Sequence, residues 1–296
     1  MTFYSKTYDI IVVGAGHAGC EAALAPARMG LNVLLLAIDL DKVAAMPCSP
    51  SIGGMAKGQL VKEIDALGGE MARITDRTAI SYKVLNTKKG PAVQSSRTQN
   101  DKKRYHMAMK AVLESEDRID LKQALVERLV VTDGRVVGVE DHTGFGYQAR
   151  AVILATGTFL GGLVHIGYQA IKAGRAGEFS AEGLSAQLRA LGFQVGRMKT
   201  GTPPRLHRDS IDFEAFERQA PMAGTVTPFS FATEAVEMPQ LPSYMGYTSQ
   251  RSRQIVLENL AHSALYGGRI TGTSARYCPS FEDKVVKFPD RQRHHV

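Results

Sequence analysis

Two of the three cysteines stand where a thiol could react. Cys48 lies between prolines in the run Pro47-Cys-Ser-Pro-Ser-Ile-Gly-Gly-Met-Ala-Lys-Gly58. Exposed backbone N–H groups and the Lys57 cation would favour its thiolate. The equal alternative is a small buried hydrophobe, as most cysteines outside disulfides are. The run holds too many turn formers for a strand or a helix interior, so it is expected to be a loop. Cys278 belongs to Ser274-Ala-Arg-Tyr-Cys-Pro-Ser-Phe-Glu-Asp-Lys-Val-Val-Lys-Phe288, where a thiol, an arginine, two carboxylates and two lysines crowd together. Arg276 would favour the Cys278 thiolate, and Pro279 keeps the cysteine out of a helix interior. This density of reactive types points to function over a charged surface strand. Cys20 sits just inside a predicted helix and reads as packing. Three scattered cysteines suit neither a disulfide framework nor a zinc site, and no metal ligands are assigned.

A second kind of chemistry starts at the N-terminus. The β-branched run Tyr8–Val13 enters Gly14-Ala15-Gly16-His17-Ala18-Gly19 and then a helical pattern from Ala18 to Met29. Gly14 suits a tight turn, Gly16 lets backbone approach a pyrophosphate, and Gly19 lets helix and strand pack closely. Phosphates would rest on the free N–H groups and the positive dipole end of the helix. Gly30 fits the position after the helix, and Asn32–Ala37 reads as the next strand, which completes a β-α-β unit. Pro26 inside the helix resists this reading, because it removes a donor. The acidic residue expected at the end of the second strand is also missing, with Asp39 the nearest carboxylate. The turn alone fits NAD or FAD.

The choice between them comes later in the chain. Val126–Val131 and Arg135–Glu140 are strands joined by Asp133-Gly134, a hairpin dipeptide. A third strand ends in Ala151-Val-Ile-Leu-Ala-Thr156-Gly157. A glycine turn, an antiparallel meander and an Ala-Thr-Gly strand end, in that order, resemble flavoproteins with two dinucleotide domains and favour FAD. The remaining alternative is a plain structural hairpin.

The elements between and beyond must position these groups. Tyr82–Tyr105 holds seven cations against Asp101 alone, which would attract phosphates or form a solvated basic face. A helix is expected from about Ser180 to Leu191, and Arg197–Arg205 reads as a return toward the first domain. Residues 206–250 show little period and several prolines, as an inserted smaller domain would. A helical pattern resumes at Arg253–Tyr266. The expected organisation is α/β: a Rossmann-like FAD-binding domain with a β-meander over residues 1–205, then part of an inserted smaller α/β domain over 206–296. With 296 residues and 44% hydrophobic content, a sizeable core is within reach. The formal charge of +7 suits an anionic partner. No apolar run approaches the ~20 residues of a membrane span, and the N-terminus lacks signal-peptide character. A reducing cytoplasm is the expected location.

Six motifs together resemble one family. They are Gly14–Ala23, Cys48–Gly58, Lys62–Gly69, Lys89-Gly-Pro-Ala-Val93 with Arg97 and Gln99, Lys199-Thr-Gly-Thr-Pro-Pro-Arg205, and Arg276-Tyr-Cys-Pro-Ser280 with Glu282 and Lys284. The chain resembles, from Tyr8 onward, the MnmG or glucose-inhibited division protein A family of tRNA uridine 5-carboxymethylaminomethyl modification enzymes. The resemblance implies FAD, NADH as reductant, methylenetetrahydrofolate as one-carbon donor, and tRNA wobble uridine 34 as substrate. It further implies the GTPase partner MnmE and a homodimer at full length. FAD contacts would fall on Gly14, Ala15, Gly16, His17, Ala18 and Gly19, on Val126, on Thr156 and Gly157, and on Ala181. The nicotinamide segment would be Ser274–Phe288, with Ser274, Arg276 and Lys284. The two functional cysteines would be Cys48 and Cys278. A thiolate adding to carbon 6 of uridine would make carbon 5 nucleophilic, and reduced flavin could then supply hydride.

The chain departs from the family at Pro26 and Ala275 and is about half the family's length. It therefore reads as an N-terminal half, expected neither to complete the FAD site nor to modify tRNA by itself. Three alternatives stay open: a flavin- and NADH-dependent small-molecule oxidoreductase, a folate- and FAD-dependent tRNA uridine-54 methyltransferase, and a non-catalytic nucleotide-binding module.

Overall fold

The computed structural model describes residues 2–175, 177–222, 226–274 and 279–296. The β-α-β unit forms as strand β1 (Thr2–Val13), helix α1 (His17–Arg28) and strand β2 (Val33–Ala37). Pro26 lies in the last turn of α1 with its ring buried; it forgoes its own backbone bond, and the helix ends two residues later at Arg28. Gly30 follows the helix with φ +92°, a left-handed stop that glycine adopts cheaply.

Residues 51–114 form an insertion of β3 (Ser51–Gly53), α2 (Lys57–Ala66), α3 (Met71–Thr78), β4 (Ala79–Leu85), β5 (Ser95–Asn100) and α4 (Lys102–Glu114). The run 47–58 is therefore not wholly loop. Ser51–Gly53 pairs antiparallel with β5, which buries Ile52, and Lys57 already opens α2. Positive φ at Gly53, Gly54 and Ala56 turns the chain between them. The partner strand, not local propensity, makes β3 a strand.

Then come β6 (Ile119–Gln123) and the meander β7 (Val126–Thr132), β8 (Arg135–Asp141) and β9 (Phe145–Leu154). Asp133 and Gly134 both have positive φ, 51° and 73°, as a type I′ hairpin turn requires. The main sheet runs β6-β2-β1-β9-β8-β7. Its first four strands are parallel and the meander strands pair antiparallel.

Both faces of the parallel part are covered, and alternation along the strands shows how. Val12, Val33, Leu35 and Ala37 point into one core with Ala23 and Leu24 of α1 and Met109 and Leu113 of α4. Their neighbours Ile11, Val13, Leu34 and Leu36 point into the other, against Val126, Leu129, Val139 and Tyr147 of the meander. Each fully buried leucine contributes roughly 1.5–3 kcal/mol.

The rest is less regular: β10 (Leu163–Ile166), β11 (Gln169–Lys172), α5 (Glu182–Ala190), β12 (Met198–Lys199), β13 (Glu217–Gln219), β14 (Ser243–Met245), α6 (Gln250–Glu258), β15 (Thr273–Ser274) and α7 (Phe281–Lys287). Leu184 of α5 closes the second core. The later segment also returns to the first. Phe229 is fully buried in the core that holds α1 and α4, and Leu241 N donates to Ile80 O. No helix among the described residues is long and apolar enough to cross a membrane.

Candidate functional site

The glycine turn and the Ala-Thr-Gly strand end meet. β1 and β9 are neighbours, with Val13 opposite Leu154, and Ala155 N donates to Val13 O at 2.8 Å. Gly14 has φ +102°, and a Cβ there would lie 2.4 Å from Ala155 O. A Cβ at Gly19 would lie 1.7 Å from Gly14 O, so only glycine lets α1 start this close to the strand end. Around Gly16 nothing lies within 4 Å of an added Cβ. The first turn of α1 therefore opens on free space, with no side-chain cap and no acidic residue. Those uncapped N–H groups form an anion cradle, and Thr156 and Gly157 follow directly on the neighbouring strand.

Beside the cradle, His17 Nδ1 is buried with no hydrogen-bond partner among the described residues, and its ring meets Tyr105 edge-on at 5.4 Å. Burial holds the His17 pKa below its ordinary value, so the imidazole is neutral at neutral pH. That suits a helix N-terminus, where a positive charge would be repelled. Ala15 is buried, and its carbonyl accepts from both Ala44 N and the Cys20 thiol. Ala18 is exposed on the first turn. Burial and the nearby Glu21 push the Cys20 thiol up to about 12, as a packing residue should be. The side chain of Asp39, the nearest carboxylate, accepts from Asp41 N at 2.8 Å.

Val126 and Ala181 lie on the meander side of the sheet. Val126 is buried at the start of β7, and its neighbour Glu127 accepts from Gly183 N at 2.9 Å, at the start of α5. Ala181 N donates to Phe159 O at 2.8 Å, and Gly161 N donates to Ala181 O at 2.9 Å. The start of α5 is thus tied to the loop that leaves Gly157.

Around Cys48 the fold unites segments far apart in sequence. The Cys48 thiol donates to Gly201 O at 3.1 Å, and Arg205 donates to the carbonyls of Pro47 and Cys48. The same 199–205 segment reaches the other reactive stretch. β12 pairs with β15 in parallel, setting Lys199 beside Ser274, and Lys199 Nζ lies 3.4 Å from Asp283. Lys199 and Asp283 are 8% and 4% exposed, so this is a buried ion pair. Burial pushes the Asp283 pKa up, but the Lys287 hydrogen bond, the Ser280 amide and the Lys199 charge outweigh it and hold the carboxyl at about 2. Ser274 Oγ is buried and lacks a hydrogen-bond partner among the described residues. Lys284 is half-buried on α7. Ala275–Cys278 lie outside the described residues, and with them the predicted Arg276 and Cys278. The stretch around Phe281–Lys287 is a helix, not a strand, started by a reciprocal cap between Ser280 and Asp283. Two open grooves, of about 800 and 510 Å³, lie against the meander and include neither the glycine turn nor Cys48.

The family model for glucose inhibited division protein A matches residues 9–296. The chain belongs to that family. Against the Syntrophobacter fumaroxidans tRNA uridine 5-carboxymethylaminomethyl modification enzyme MnmG, it is 59% identical over 98% of its own length and 45% of the relative's. The Geobacter sulfurreducens enzyme of the same name is 56% identical, over 98% and 46%. The Aquifex aeolicus GidA crystal structure superposes with a TM-score of 0.91 at 47% identity, covering 98% of this chain and 49% of that one. The chain thus spans about half the length of the curated relatives it matches. Within this glucose inhibited division protein A fold, sequence reasoning missed Asp283 as the partner of Lys199 and Gly201 as the acceptor for Cys48. The Ser280-x-x-Asp283 cap was the one local signal available.

Proposed function

We propose that this chain supplies the FAD- and thiol-bearing part of an enzyme that builds the 5-carboxymethylaminomethyl group on tRNA wobble uridine 34. NADH would be the reductant and methylenetetrahydrofolate the one-carbon donor. The enzyme would act in the cytoplasm as a homodimer with the GTPase partner MnmE. Residues 1–205 would form the FAD-binding domain and 206–296 part of the inserted NAD-binding and substrate domain. The 296 residues by themselves are expected to lack turnover, since the relatives that carry the activity in their names are about twice as long.

The observation that carries the reading is the 199–205 segment, which holds Cys48 at one end and registers Ser274 and Asp283 at the other. FAD suits the open, uncapped first turn of α1, with Gly14, Ala15, Gly16, His17, Ala18 and Gly19 around its pyrophosphate. Thr156, Gly157, Val126 and Ala181 would flank it. When bound, FAD would supply hydride chemistry. Ser274, Arg276 and Lys284 would hold the nicotinamide donor. Cys48 and Cys278 are the nucleophile candidates: a thiolate that adds to carbon 6 of uracil turns carbon 5 into a nucleophile, and the bond is later reversed. The hydrogen bond to Gly201 orients the Cys48 thiol before attack.

Mass spectrometry of wobble uridine in cells lacking the protein tests this. The modified nucleoside should disappear, return with the wild-type gene, and fail to return with Cys48→Ser or Cys278→Ser. Normal wobble uridine in the deleted strain would refute the reading, as would full rescue by both serine variants.

A further inference from the structure

We propose that the ladder face bearing Lys83 and Arg97, together with the hairpin tip at Lys88 and Lys89, grips the phosphate backbone of the RNA whose uridine is delivered to Cys48; this rests on the tRNA reading above. Lys83 and Arg97 stand directly opposite each other across β4 and β5, and so on one face. Like charges in that position repel and weaken a ladder. Neither they nor Lys88 and Lys89 form an ion pair with a carboxylate among the described residues. Lys83 Nζ instead donates to Ser243 Oγ at 2.9 Å.

The arrangement is built rather than loose. Lys89 N donates to Asn86 O at 2.8 Å, Asn86 Nδ2 to Val93 O at 3.1 Å, and Gln94 Nε2 to Lys89 O at 2.9 Å, which fixes the tip with both lysines exposed. Below it, Thr98 and Asn100 are buried and bonded to each other, which holds the strand that carries Arg97. A local cost retained on a rigid frame marks a site whose partner supplies the missing charge. A chain of regularly spaced phosphates neutralises adjacent cations together, as one small anion cannot. The same ladder connects this face to the thiol, since Arg97 is the register partner of Gly53 on β3, shortly after Cys48.

The test titrates unmodified tRNA onto the full-length protein by fluorescence anisotropy, from about 50 to 200 mM salt, where phosphate contacts dominate the salt dependence. The variants are K83Q/R97Q, K88Q/K89Q and the control R135Q, a cation at the tip of the meander. Each of the two double variants should weaken binding about tenfold and reduce the slope of log Kd against log salt by about 1.5, at roughly 0.7–0.9 per phosphate contact. R135Q should change neither. The Tm of K83Q/R97Q at low salt should hold or rise, because a repulsion is removed. Wild-type slopes in both double variants, with tRNA still bound, would overturn this surface and leave the tRNA reading standing. A fall in Tm with the slope intact would assign Lys83 and Arg97 to structure and overturn it equally. Failure of the unsubstituted protein to bind tRNA at the lowest salt would sink both readings.

Discussion

A methyl group at residue 19 would sit 1.7 Å from the Gly14 carbonyl, whereas one at residue 16 would meet nothing within 4 Å. The two glycines of one turn therefore do different work, and substitution separates them. Gly19→Ala must push α1 off the strand end, an overpacking that costs about 1–3 kcal/mol or more. It should lower Tm and dinucleotide affinity together. Gly16 has φ −73° and open surroundings, so Gly16→Ala should leave the folding free energy within about 0.5 kcal/mol of wild type, and Tm nearly unchanged. It should still weaken FAD binding, because the methyl occupies the space the pyrophosphate needs. Thermal melts and flavin fluorescence titration of both variants check this, and equal effects would reject the assignment. Cys20, fully buried with its thiol pKa at about 12, should resist iodoacetamide at pH 8 in the folded protein and react once urea unfolds it. Peptide mass mapping before and after unfolding reads this directly.

At the scale of elements, α7 is held by charge. The Asp283 carboxylate accepts from Ser280 N and Tyr266 Oη and pairs with Lys199 and Lys287, which keeps it ionised down to about pH 2. An unfolded aspartate titrates near pH ~3.9. The folded pKa is the lower, so the stabilisation is complete above about pH 4 and is lost as pH falls through 2. It amounts to at most about 3 kcal/mol, less where water screens the outer lysine. Hydrogen-exchange protection factors across 281–287, taken relative to the intrinsic rate at each pH, should fall over that window in the wild type. In Asp283→Asn they should already be low at pH 7 and nearly flat with acid.

This pair also shows what a sequence hides. The β-α-β unit and the meander are legible because their signals are local: β-branched runs, Gly14-x-Gly16-x-x-Gly19 and the Asp133-Gly134 turn. Lys199 and Asp283 are 84 residues apart, and Cys48 and Gly201 are 153 apart, so no window contains either contact. β3 escaped for a related reason, since three residues become a strand only when β5 is there to pair with them.

Across the whole molecule, the aperiodic stretch 206–250 is anchored at Phe229. Phe229 is wholly buried, Asp76 accepts from the amides of Phe229 and Ser230 at 2.7 and 2.8 Å, and Lys62 donates to Phe229 O at 2.8 Å. Tyr82 also donates to Asp76, so this 2%-exposed carboxylate has three donors and tolerates its burial. The ring reaches the candidate site: a Cβ on Gly53 would lie 2.8 Å from its Cζ. Phe229 therefore floors β3, and β3 carries the chain out of the Cys48 loop. Removing the ring should cost about 3–5 kcal/mol, through lost burial and the cavity left beneath the small sheet. It should also act at a distance along the chain, because residues 51–54 lose their support while the glycine turn keeps its own. Phe229→Ala should thus lose hydrogen-exchange protection at Ser51–Gly54 more than in β1 and β2, with Phe229→Leu in between. Uniform loss across both regions would mean that the anchor stabilises the fold as a whole and has no particular hold on the thiol loop.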